Sequence, residues 1–170
     1  MFNDVSSSNG FACGIQPAPI FSPYHHSKFL FEFQLHEYHH KDKVYESDHM
    51  NSFESNFTNL GHFYKTIIAP GFKYSVLPEL VQVCYGGVFA ASYKNIMKAD
   101  PSIWKRIEES LSRGNSIEEG HFMERLWGSL LATHLRPYQI EALNTFAPLH
   151  THFPVGRGKH MPGMKSRKKK

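Results

Sequence analysis

Residues 83–131, VCYGGVFAASYKNIMKADPSIWKRIEESLSRGNSIEEGHFMERLWGSLL, constrain the fold more than any other part of the chain. They read as a buried strand ending in a Gly-Gly turn, then two helices. Asp100 is an N-cap candidate, Pro101 sits at the first helical position and Gly114 at the stop, so a helix is expected over residues 101–113. Its apolar stripe is Ile103, Trp104, Ile107 and Leu111. Ser116 with Glu119 three residues on forms a capping box. The helix it opens is expected over residues 117–132, with the stripe Met123, Leu126, Trp127, Leu130 and Leu131. The two helices are expected to pack through Trp104, Leu111, Leu126 and Trp127. Residues 138–145, beyond Pro137, suit a third and shorter helix.

Upstream, Phe29, Phe31, Phe33 and Leu35 alternate with Leu30, Glu32, Gln34 and His36, the period-two pattern of a half-buried strand over residues 28–38. Residues 39–50 are polar and read as a loop. Phe53, Phe57, Leu60, Phe63 and Tyr64 recur at spacings of three and four, which fits a short amphipathic helix or two turns. Residues 80–84 are β-rich and continuous, as in a central strand. Residues 88–92 are a second short strand or the same one continued past a bulge.

The ends read differently. Residues 1–23 hold the run Ser6-Ser7-Ser8-Asn9-Gly10 and Pro17, Pro19 and Pro23, a flexible leader. From Pro148 the chain is rich in Gly, Pro and His and then basic, a disordered tail over residues 148–170. An α/β domain is expected between them, over residues 24–147. A 41% hydrophobic content with 14 Phe, 8 Tyr and 2 Trp suffices for a packed core and excludes the composition of a disordered chain.

Five of the last six residues, KSRKKK (Lys165, Arg167, Lys168, Lys169 and Lys170), are basic, and without them the chain is near neutral. A generally basic nucleic-acid-binding surface is therefore not indicated. The tail itself reads as a localisation signal, as an arm contacting nucleic acid or another polyanion, or as a solvated segment without a partner. Two cysteines, Cys13 and Cys84, are too few for a disulfide framework or a cysteine zinc site, and free thiols are expected. No apolar run reaches membrane-spanning length and no signal pattern opens the chain, so a cytoplasmic or nuclear protein is expected.

The residues suited to chemistry lie around the Gly-Gly turn. Glu118 and Glu119 open the second helix, where the dipole keeps carboxylates ionised. If that helix start faces Gly86 and Gly87, one of them becomes a general base beside a backbone-lined pocket; otherwise Glu119 is a capping residue and Glu118 complements the dipole. Arg125 suits bidentate capture of a phosphate or carboxylate, or pairs with Glu118, Glu124 or solvent. The histidines follow neither H-E-x-x-H nor any cysteine–histidine zinc spacing, and no metal site is assigned to them. Neither G-x-G-x-x-G, a Walker lysine nor G-x-S-x-G occurs.

YGGVFAAS (residues 85–92), the W-K-R-I-E helix and EEGHFMERLWGSLL (residues 118–131) together resemble the closing part of a glycosyltransferase-like GT-A domain. The resemblance is to an uncharacterised family of such proteins in fungi, algae and bacteria, and covers about a third of the chain. It implies a sugar transferred from a nucleotide sugar to an acceptor hydroxyl, with Glu118 or Glu119 as catalytic base. It places Tyr85, Gly86, Gly87 and Phe89 at the substrate pocket, with Arg125 in support. It also implies a divalent metal such as manganese, although this chain has no D-x-D; its nearest substitute is Asp48-His49. The span between Phe29 and Leu80 is too short for several βα units of about 30 residues each. The expectation is thus an incomplete GT-A-like α/β domain, truncated, degenerate or dependent on a partner.

Overall fold

The computed structural model describes residues 10–14, 24–34, 54–72, 76–114 and 117–146. Strand β1 (Phe11–Cys13), strand β2 (Tyr24–His26) and helix α1 (Ser27–Phe31) come first. Helix α2 (Leu60–Phe63) runs on through a π turn (Tyr64–Ile68) and a 3-10 turn (Ala69–Gly71). Strand β3 (Leu80–Gln82), a 3-10 turn (Tyr85–Gly87), strand β4 (Phe89–Ala91) and helix α3 (Tyr93–Ile96) follow. Helices α4 (Pro101–Leu111), α5 (Glu118–Leu131) and α6 (Pro137–Phe146) complete the mixed α/β fold.

The helical signals are met closely. The Asp100 carboxylate accepts the Ser102 N–H at 2.8 Å, and Pro101 opens α4. Ile103 and Ile107 are buried, while Trp104 and Leu111 pack against the core from its edge. Helix α5 supplies Phe122, Met123, Leu126, Leu130 and Leu131 to that core, against Leu60, Phe63 and Ile68. Burying each such side chain contributes about 1.5–3 kcal/mol. Helices α4 and α5 touch, and the Trp127 ring also lies 5.5 Å from that of Phe89 in β4. Pro137, expected merely to lie beyond α5, is the first residue of α6.

Four expectations need correction. Residues 28–38 do not begin as a strand: residues 27–31 are helical, and the short strand lies before them, at β2. The His26 ring accepts the Lys28 N–H at 3.3 Å and caps the helix. Leu30 and Phe33, three residues apart, are the buried pair, whereas Phe29 is 46% exposed. The apparent alternation thus mixed an outward Phe with inward ones. Residues 35–38 lie outside the described residues.

Strand β3 is not central. Among the described residues it pairs with β2 alone, antiparallel, with His25 opposite Val81. Among the described residues the sheets are this pair and the antiparallel β1–β4 pair, and a doubly wound parallel arrangement is not seen. The segment read as leader supplies β1, whose Phe11 is buried with its ring 5.2 Å from Phe89. The tail over residues 148–170 lies outside the described residues.

The cysteines are joined. Pairing of β1 with β4 sets Cys13 opposite Phe89 and brings it to Cys84, just ahead of the Tyr85–Gly87 turn. The disulfide has its Cα atoms 5.5 Å apart and closes a separation of 71 residues. A three-residue strand is too short to leave a periodic signal in sequence, which is why Cys13 read as a free thiol in a leader. Cross-linking over such a loop restricts the unfolded chain by roughly 4 kcal/mol in the chain-entropy account. The Cys13→Ser/Cys84→Ser variant is therefore expected to lose stability of that order in urea unfolding, and an unchanged midpoint would show that the bond does not form in solution.

Candidate functional site

The first turn of α5 is built into the protein interior. Glu118 is 8% exposed, and its Oε2 accepts both the Ser55 N–H at 3.0 Å and the Ser55 hydroxyl at 2.9 Å. Glu119 is 4% exposed and meets Arg113 as a fork, with Nε to Oε1 at 3.2 Å and Nη2 to Oε2 at 2.8 Å. The N-cap of α5 is Ile117, with no side-chain cap; Ser116 lies outside the described residues. Glu119 therefore closes the connection from α4 by a charge-assisted pair.

A different carboxylate reaches the glycine turn. Glu124, on a later turn of α5, accepts the Gly86 N–H through Oε1. Its Oε2 accepts Arg125 Nη1 at 3.1 Å and lies 4.0 Å from His121 Nδ1. Arg125 also donates to the His121 carbonyl at 2.9 Å. Its guanidinium carbon stands 4.0 Å from the centre of the Phe33 ring and 5.4 Å from that of Tyr85. The Tyr85 hydroxyl and His25 Nε2 are 3.0 Å apart. Gly86 and Gly87 both have positive φ, 78° and 65°, which only glycine adopts readily, and the space where a Gly87 Cβ would sit is open.

Burial governs the titration of this cluster. It raises the Tyr85 hydroxyl above its usual value, against the pull of Arg125 and with a smaller push from Glu124. It lowers His121 below 6.5, reinforced by Arg125 and opposed by Glu124 and Glu118. Arg125 is lowered by burial too, yet guanidinium remains charged throughout the working range.

No family model, curated protein or solved structure matches this chain. The arrangement must therefore be read from its own geometry. Of the residues singled out in sequence, Tyr85, Gly86 and Arg125 come together, and Gly87 is at their exposed edge. Phe89 lies behind them, between Phe11 and Trp127. Glu118 and Glu119 are held instead by Ser55 and Arg113. Glu124, His25 and Phe33 were missed as members of the cluster. In sequence Glu124 reads only as a partner for Arg125, and a contact between residues 38 apart leaves no local signal.

A cleft of about 430 Å³ lies elsewhere, lined by Glu79, Pro137, Ile140, Glu141, Asn144 and Thr145. Among the described residues no three His, Cys, Asp or Glu side chains gather in a metal-binding group; Asp48 and His49 lie outside them. No described helix is long and apolar enough to cross a membrane.

Two outcomes follow from these contacts. Glu119→Gln leaves Arg113 facing a neutral amide and is expected to cost about 1.5–3 kcal/mol, the range for hydrogen bonds to charged groups. Glu118→Gln retains an oxygen acceptor for Ser55 and is expected to cost less; urea unfolding of both variants at neutral pH checks the order. The second concerns pH. His121 and His134 are both lowered from 6.5, chiefly by burial. The unfolded chain then binds their protons first, so their stability contribution is present above 6.5 and is lost as pH falls through the folded values. The melting temperature is expected to drop between about pH 7.5 and about pH 5, and to drop less in His121→Gln/His134→Gln.

Proposed function

We propose that this chain is a glycosyltransferase-like protein of incomplete GT-A type, with the Tyr85–Gly87 turn and the flank of α5 bordering the substrate. The observation that carries the reading is the Gly86 amide turned onto a carboxylate beside Arg125, at an open left-handed turn. Such a turn admits a ligand close to the backbone. In the reaction, the acceptor oxygen bonds to the sugar carbon as that carbon's bond to the nucleoside diphosphate breaks. A carboxylate takes the acceptor proton. By resemblance that base is Glu118 or Glu119, and it must first leave Ser55 or Arg113.

A second reading has its own support. Both candidate bases are engaged by internal partners, as in a protein that does no chemistry there. The KSRKKK run at residues 165–170 then supplies the function, as an arm on a non-enzymatic module that contacts nucleic acid or another polyanion.

Calorimetric titration of the full chain with nucleotide sugars, with and without manganese, separates the two. The transferase reading expects saturable heat in at least one condition, and Glu→Gln at the base is expected to abolish transfer while preserving that binding. Absence of heat in both conditions, together with salt-sensitive heparin retention that disappears on deleting residues 165–170, establishes the binding module instead.

A further inference from the structure

Two donors converge on the Glu124 carboxylate, the Gly86 N–H and the Arg125 guanidinium, and the His121 ring stands beside it with Nδ1 4.0 Å from Oε2. We infer that these groups form an oxyanion cradle for a small carboxylate- or phosphate-bearing ligand, and that Glu124 occupies it as an internal stand-in. The cradle goes beyond the transferase reading, because it rests on this geometry whether or not the chain transfers a sugar.

Each part of the cradle is fixed independently of Glu124. The Gly86 amide belongs to the Tyr85–Gly87 turn, whose two glycines hold positive φ. The guanidinium is held by the His121 carbonyl at 2.9 Å and stacked on Phe33, so it does not need the carboxylate to stay in place. It is 14% exposed, and a guanidinium so weakly hydrated favours an oxyanion partner. The two Glu124 oxygens are divided between Gly86 and Arg125, as those of an external carboxylate or phosphoryl group would be.

Glu124 itself is 23% exposed and hangs from α5 by a flexible stem. Rotation of that side chain empties the cradle without moving either backbone. Open space at Gly87 gives the incoming group its path. The opposing charge nearby is Glu118, which acts on His121 but is itself bound by Ser55.

The test follows the Gly86 amide resonance of the ¹⁵N-labelled full chain during titration with inorganic phosphate and, separately, with acetate. In the wild type a weak, saturable shift is expected, because the anion must displace Glu124. In Glu124→Gln the affinity is expected to rise at least roughly tenfold for one of the two anions, which identifies the ligand chemistry. Adding Arg125→Gln is expected to abolish the shift. Equal affinity in wild type and Glu124→Gln, or no movement of Gly86 with either anion, overturns the proposal. Glu124→Ala repeats the test should the Gln variant lose its fold, and the wild-type titration stands alone should both do so. Failure here leaves the transferase reading to the nucleotide-sugar titration. Phosphate binding without nucleotide-sugar binding refutes the transferase and keeps the cradle.

Discussion

At Gly128 helix α5 lies so close to β3 that an added methyl group would fall 1.7 Å from the Gln82 carbonyl oxygen. Only glycine permits that approach, and the backbone contact leaves no room for the helix to slide or roll. Because β3 continues through Val83 and Cys84 into the Tyr85–Gly87 turn, fixing the strand against the helix also fixes the turn. The glycines are thereby delivered to the stretch of α5 that carries His121, Glu124 and Arg125. The same packing buries Phe122, Met123 and Leu126 against α2, so the helix that supplies the polar cluster is also the spine of the core.

The helical half of the fold was legible because its information is local. A cap, a proline at the start and a stripe at three-to-four spacing specify α4, and a stripe of the same spacing specifies α5, without reference to the rest of the chain. The β half was not. Strands of three residues carry too few side chains to show a period, and β1 finds its partner far along the chain. Residues 28–38 misled for the opposite reason: four apolar residues at alternate positions outweighed a cap at His26 that depends on a ring nitrogen.

The site was half legible for the same physical cause. In sequence a meeting of the α5 start with the Gly86-Gly87 turn is one of two open alternatives; in the structure a later turn of α5 meets it, and Arg125 and Tyr85 lie there. It chose the wrong carboxylate for the contact with that turn, since a helix start attracts acidic residues through its dipole whether or not anything faces them. The carboxylate that meets the turn is set by the height at which β3 crosses α5. That height depends on Gly128, whose role is invisible until the strand is in place. Ser55 and Arg113 likewise become partners of Glu118 and Glu119 only after tertiary packing.

The pairing of β1 with β4 has a consequence for the order in which the molecule assembles. Phe11 emerges early but must wait for Ala91, its register partner, before its strand exists. Over that interval the loop to be closed is long, and its entropy must be met before the pairing returns any energy. Helices α4 and α5, by contrast, are consecutive in the chain and touch each other. Assembly is then expected to run from the later part of the chain towards the earlier, against the direction of synthesis, with the first strand the last to join.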